Sequence, residues 1–185
     1  MKILNYLIIA LCFLMINASS CFDKDDEDKL PPETQTGNNT FGCLVNGKVW
    51  LPRGVPFSSV GTVAWVNSSY NYLSVGANQD NSQSIGFVLK DTEINSGMVY
   101  TLNSNVNSHA DFESRCETGA YCYYGSNSKN VGELTITKFD TINMIVSGLF
   151  SFKAYFTEAQ ASDCGCDSLF SITEGRFDLK YSLQP

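Results

Sequence analysis

From Phe41 to the end of the chain, short apolar runs alternate with polar residues and are broken about every 8–12 residues by Gly, Ser, Thr and Asn. This period-two texture constrains the fold more than any other feature, because only a strand sends successive side chains to opposite faces. Its clearest unit is Phe41-Gly42-Cys43-Leu44-Val45, then Asn46-Gly47, then Lys48-Val49-Trp50-Leu51. Asn-Gly between apolar runs predicts a hairpin, since both residues tolerate the positive φ of a type I′ turn. Pro52 and Pro56 break pairing and mark a loop. A second hairpin is predicted from 62–66 and 70–77 about Asn67-Ser68-Ser69, and 84–90 reads as a strand with Ile85, Phe87 and Leu89 on one face. Residues 97–102, 131–139, 142–156 and 170–183 continue the pattern. The third of these is long enough to bend at Gly148, and the last is interrupted at Glu174-Gly175.

The stretch 103–130 is the least patterned: 28 residues with the only His, two Cys and three Tyr. A loop that long inside a compact domain is functional, disordered or structured in its own right, and weak strands are predicted at 110–115 and 120–124. Together these readings predict an all-β domain, a single antiparallel β-sandwich or partly open barrel of about 8–11 strands. The 145 residues from Phe41 onward suit one domain with one core. No segment carries a helical period over three turns, and no internal repeat or second apolar span is present.

The N-terminus has a different grammar. Lys2 precedes an unbroken apolar run of ten residues, 7–16, too short for a bilayer span of about 20 but suited to a signal-peptide core. Asn17-Ala18-Ser19-Ser20 then supplies small residues directly before Cys21. This arrangement resembles a lipobox, with Ala18 where Leu is often found, and implies that Cys21 becomes the acylated first residue of the mature chain. Two or more palmitate-class chains anchor stably where one is marginal. Ordinary secretory cleavage after Ser20, leaving Cys21 a free thiol, is the alternative. Residues 21–40 hold six acidic residues and two lysines, with Pro31-Pro32 and Gly37-Asn38-Asn39, and predict a disordered, solvated tether. Lys24-Asp25-Asp26-Glu27 resembles a surface-export signal of Bacteroidetes-type lipoproteins. The expected division is therefore signal peptide 1–20, lipidated acidic tether 21–40 and β-domain 41–185. The expected location is the outer membrane, on the cell surface, with a secreted or periplasmic location as the alternative.

Seven cysteines become five once Cys12 leaves with the signal and Cys21 takes lipid: Cys43, Cys116, Cys122, Cys164 and Cys166. Export favours disulfides, and two bridges plus a leftover thiol leave the connectivity open. Cys116 and Cys122 enclose a short loop that could close on itself. Cys164-Gly165-Cys166 cannot comfortably bridge internally, so one of them is a partner for Cys43. Zinc is the weaker use of these residues, because structural sites favour pairs two to four apart and these spacings are five and one. No metal and no cofactor is expected. The acidic balance, −7 over the chain, argues against nucleic acid, which needs clustered Lys and Arg.

Three segments carry a family resemblance: the opening Asn39-Thr40-Phe41-Gly42-Cys43-Leu44-Val45-Asn46-Gly47-Lys48-Val49-Trp50, the pair Leu134-Thr135-Ile136-Thr137-Lys138-Phe139-Asp140 and Ile145-Val146-Ser147-Gly148-Leu149-Phe150-Ser151-Phe152, and the closing Ile172-Thr173-Glu174-Gly175-Arg176-Phe177-Asp178-Leu179-Lys180-Tyr181. The chain is similar here to small Bacteroidetes-type lipoproteins whose domain has no assigned function. The resemblance spans 39–181 apart from 106–130. It implies an exported, lipid-anchored β-domain and carries over no catalytic residue. It also gives interest to Asp140-Thr141-Ile142 and Asp167-Ser168-Leu169, which match the pattern on which such bacteria O-glycosylate exported proteins, at Thr141 and Ser168.

Candidate chemistry is sparse. His109-Ala110-Asp111 is the only His–acid pair, and no Gly-x-Ser-x-Gly elbow accompanies it. Asp111, Glu113 and Glu117 cluster in sequence, as do Asp163 and Asp167, without showing that either group faces another across a cleft as glycoside hydrolysis requires. Arg176 and Asp178 share one face of the last strand and read as a solvent-side pair meeting Lys138 or Asp140. Tyr121, Tyr123 and Tyr124, with Trp50 and Trp65, are candidates for stacking a sugar, with the core as their competing use. No residue is assigned as catalytic. The sequence predicts a non-enzymatic binding or structural module, held to the membrane by its N-terminal lipid, with an extracellular glycan or protein as partner. An extracellular hydrolase of glycans or esters using 106–130, and a small-lipid carrier, are the alternatives.

Overall fold

The computed structural model describes residues 29–53, 62–67, 71–80, 82–103, 107–127, 132–160, 162 and 164–183. The signal segment, Cys21 with the first part of the acidic tether, Pro56, Asp163 and the Ser68-Ser69 turn lie outside them.

The described residues form an all-β fold: β1 (Thr40–Val45), β2 (Lys48–Trp50), β3 (Thr62–Asn67), β4 (Tyr72–Gln79), β5 (Gln83–Leu89), β6 (Val99–Leu102), β7 (Ser108–Arg115), β8 (Tyr121–Gly125), β9 (Gly132–Asp140), β10 (Ile145–Ala159), β11 (Leu169–Lys180) and β12 (Ser182–Leu183). They make one mixed sheet in the order β12-β3-β4-β5-β7-β8-β10-β11-β1-β2, not closed into a barrel. Asn46 and Gly47 take φ of 50° and 78° as the predicted hairpin requires. The weak strands expected inside 103–130 exist as β7 and β8. The ladders between strands are antiparallel except the short contact of β12 with β3, which is parallel and corrects the purely antiparallel expectation. Ser182-Leu183 is too short to show a period of its own, which is why 170–183 reads as one strand in sequence.

The sheet forks at β10. Its first half pairs with β9, which carries β6, and its last residues pair with β8, while β11 follows its other edge from Ile145 to Tyr155. The fork folds the two halves face to face. Phe87 on β5 lies 5.3 Å from Phe150 on β10 and 5.4 Å from Phe177 on β11, and Phe41 on β1 lies 5.2 Å from Phe150. These rings pack between the two layers. The predicted bend is at a register shift between Ser147 and Gly148. A Cβ on Gly148 would stand 2.6 Å from the Thr135 carbonyl oxygen and 2.7 Å from the Phe177 ring, so the crossing demands glycine.

The end of the tether departs from the solvated expectation. Asp178 is fully buried and its carboxylate accepts hydrogen bonds from Thr34 Oγ1 (2.7 Å), Thr36 N (3.0 Å), Gly37 N (2.8 Å), Asn38 N (3.2 Å) and Ser147 Oγ (2.8 Å). Residues 34–39 thus lie as a strap across β10 and β11, completed by Lys180 N donating to Asn39 Oδ1 and Lys138 Nζ donating to the Gln35 carbonyl. Arg176 meets Glu33 and Glu174, and Lys138 and Asp140 pair with each other at 3.3 Å. The Arg176–Asp178 solvent-side pair is therefore corrected. The two do share a strand face, but the strap covers it.

Candidate functional site

Alternation along β7 sends Ala110 and Phe112 into the core and leaves His109, Asp111 and Glu113 on the outer face, in the middle of the sheet. Cross-strand register extends each of them into a row. Trp65, Ser74, Val88 and His109 make the first, Gly76, Gly86, Asp111 and Gly125 the second, and Asn78, Ser84, Glu113 and Tyr123 the third. From β4 to β8, Asp111 is the only side chain larger than hydrogen in the second row, whose register continues to Val63 on β3 and Tyr155 on β10. The glycines leave a trough of about 340 Å³, edged by Ser74, Asn78, Ser84, Val88 and Glu113. Neighbouring strands are about 4.8 Å apart, so Trp65 and Tyr123, four strands apart, bound a surface roughly 19 Å long.

The tyrosines close one end. Arg115 lies over the Tyr121 ring at 5.7 Å, and the Tyr121 and Tyr123 rings are 6.5 Å apart and inclined by 33°. Gln160 fixes both, accepting from Tyr121 N and donating through Nε2 to the Tyr123 hydroxyl at 2.8 Å. Tyr124 points the other way, buried against Phe112 and Phe170. Trp50 is also buried, its indole N–H donating to Gln83. Of the predicted stacking residues, the outer face therefore holds Tyr121, Tyr123 and Trp65, while Tyr124 and Trp50 are corrected to core positions.

His109 Nε2 is 3.4 Å from Asp111 Oδ2. Crowding by the surrounding protein raises the Asp111 carboxyl above its ordinary value; the His109 imidazole pulls it down and Glu113 pushes it up. Among the described residues no hydroxyl or thiol is hydrogen-bonded to His109. Asp111 and Glu113, two residues apart on one strand, stand side by side on an open face rather than across a cleft.

The cysteines pair as Cys116–Cys164 and Cys122–Cys166, which corrects both the expected Cys116–Cys122 loop and the bridge to Cys43. Cys122 points inward opposite Ser114, whereas Cys116 lies beyond the ladder in the turn, so the two diverge. The segment between β10 and β11 supplies a partner to each. Cys43 sits in the core as a free thiol that burial pushes up to about 12. Thr141 and Ser168 are both exposed, Thr141 in the turn that Asp140 caps by accepting from Ile142 N and Asn143 N.

The trough could not be assembled from sequence, because it is made by register. Its one local signal is glycine inside otherwise regular strands, at 76, 86 and 125, which marks a close approach or a missing wall. A family model described as a domain of unknown function (DUF6252) matches residues 52–177. That span contains all three rows and both disulfides. No curated protein and no solved structure matches the chain.

Proposed function

This chain belongs to the family described as a domain of unknown function (DUF6252), and on that premise we propose that it is an exported, lipid-anchored, non-enzymatic module that binds a glycan on the outer face of β3, β4, β5, β7 and β8. The observation that carries this reading is the three-row surface itself. Sugars present apolar C–H faces and a rim of hydroxyls, so their recognition pairs flat rings with hydrogen-bonding side chains. Tyr121, Tyr123 and Trp65 offer rings whose bodies are apolar and whose edges are polar. Asp111 and Glu113 accept strongly from hydroxyls, and Ser84 and Asn78 complete the rim. The signal-like N-terminus, Cys21 and the two bridges support an extracytoplasmic setting.

A hydrolytic reading has one observation in its favour, the raised Asp111 carboxyl beside Glu113 and His109. Binding and cleavage separate in one experiment. Neutral oligosaccharides are screened against the purified protein, and the best ligand is then titrated into Asp111→Asn and Tyr123→Ala. Each substitution is expected to weaken binding by about tenfold or more, the loss of one charged hydrogen bond or one ring contact, with the ligand recovered intact. Affinity unchanged in both variants, or a cleaved ligand, would refute the proposal.

A further inference from the structure

Away from that face, the densest group of ligating side chains is the cysteine corner. The Sγ atoms of Cys122, Cys164 and Cys166 all lie within 4.8 Å of one another, and Cys116 is bonded to Cys164. Cys116 thus adjoins this trio through its bridge, and the corner borders a cleft of about 480 Å³ lined also by Arg115, Thr118 and Phe170. A tetrahedral zinc with Zn–S bonds of about 2.3 Å holds its sulfurs roughly 3.8 Å apart, a spacing the trio is close to and Cys116 Sγ reaches by moving toward it once its bridge opens. The chain spacings of five and one matter less than they do in sequence. Each bridge joins one cysteine of the β7–β8 hairpin to one of the Cys164-Gly165-Cys166 segment, so the ligands converge crosswise. Space around Gly165 is open, with nothing within 4 Å of where a Cβ would stand, which lets that segment adjust. Thr118 Oγ1 lies 3.0 Å from Cys116 Sγ and 3.9 Å from Cys164 Sγ, placed to donate to a thiolate and orient it.

We propose that this corner is a redox-gated zinc site, closed by the two disulfides when oxidised and able to bind one Zn²⁺ through Cys116, Cys122, Cys164 and Cys166 when reduced. Each bridge takes up two electrons and two protons, either from a dithiol that closes to its own disulfide or from a phosphine and water that leave as phosphine oxide. The four thiols then release their protons as they ligate the metal.

The purified protein, reduced by a phosphine without oxygen, is titrated with Co²⁺ as the spectroscopic stand-in for zinc. The expected result is one ion per chain, with a sulfur-to-metal charge-transfer band and an intense tetrahedral d–d band, both abolished by one equivalent of Zn²⁺. Cys43→Ser should keep both bands, and Cys166→Ser should lose them or show a shifted band of weaker binding. Circular dichroism accompanies each titration. If the reduced chain unfolds, recovery of its β-signal on adding metal supports the site. A reduced chain that takes up no Co²⁺, folded or not, overturns the proposal, as does a Cys166→Ser variant indistinguishable from the native protein.

Discussion

Asp178 is wrapped in donors from the strap and from Ser147, while Asp111 stands about half exposed in a trough floored by glycine. Burial of Asp178 opposes its charge, but the bonds from Thr34, Thr36, Gly37 and Ser147 outweigh it and hold the carboxyl well below its ordinary 3.8. A depressed folded value gives stability that is present above the ordinary value and lost as pH falls toward the folded one. Asp178→Asn should therefore cost about 2–4 kcal/mol in denaturant unfolding at neutral pH. Its deficit against the native protein should shrink as pH drops below about 4. A deficit that stays constant to lower pH would show that the charge is not what the strap recognises. Asp111 is shifted the opposite way, so Asp111→Asn should leave stability within about 0.5 kcal/mol of native. Alternation showed that Arg176 and Asp178 share a face but could not show what covers it. The covering segment is irregular, and its partner lies 140 residues away in sequence.

At the scale of elements, the strap is the least expected part of the fold and the β7–β8 hairpin the least patterned. Composition predicts that residues 21–40 remain solvated because they hold little apolar surface to bury. The strap docks all the same, since it offers backbone N–H groups and threonine hydroxyls to one buried carboxylate rather than apolar area. Removing residues 29–38 should destabilise the protein about as much as Asp178→Asn, and the substitution should then add little, because the two changes delete one shared interaction. Full additivity in equilibrium unfolding would separate them. The hairpin strands were legible only faintly, because β7 interleaves Ala110 and Phe112 with charged residues and ends in a cysteine turn. Which residues face one another across β5, β7 and β8 follows from hydrogen-bond register, to which composition gives no access.

At the scale of the whole molecule, the all-β class was readable because nearly every run carries a period of two. The fork at β10 and the crosswise disulfides were not, because both depend on where distant strands meet. Export and anchorage belong to this scale as well. Replacing Cys21 with Ser should move the protein from the membrane fraction to the soluble fraction, and continued membrane retention would refute lipid attachment at that residue. With Pro31 against Gly42 and Glu33 beside Arg176, only the residues from Cys21 to about Leu30 would separate an anchored domain from its lipid, no more than roughly 35 Å of extended chain. Glycan binding at the trough is read out by a glycan titration followed by amide chemical shifts. Perturbations should concentrate on outer-face positions of β5, β7 and β8, at Ser84, Asp111, Glu113, Tyr121 and Tyr123. Perturbations confined to the cysteine corner or to the β9–β10 turn, with these five positions unmoved, would contradict it.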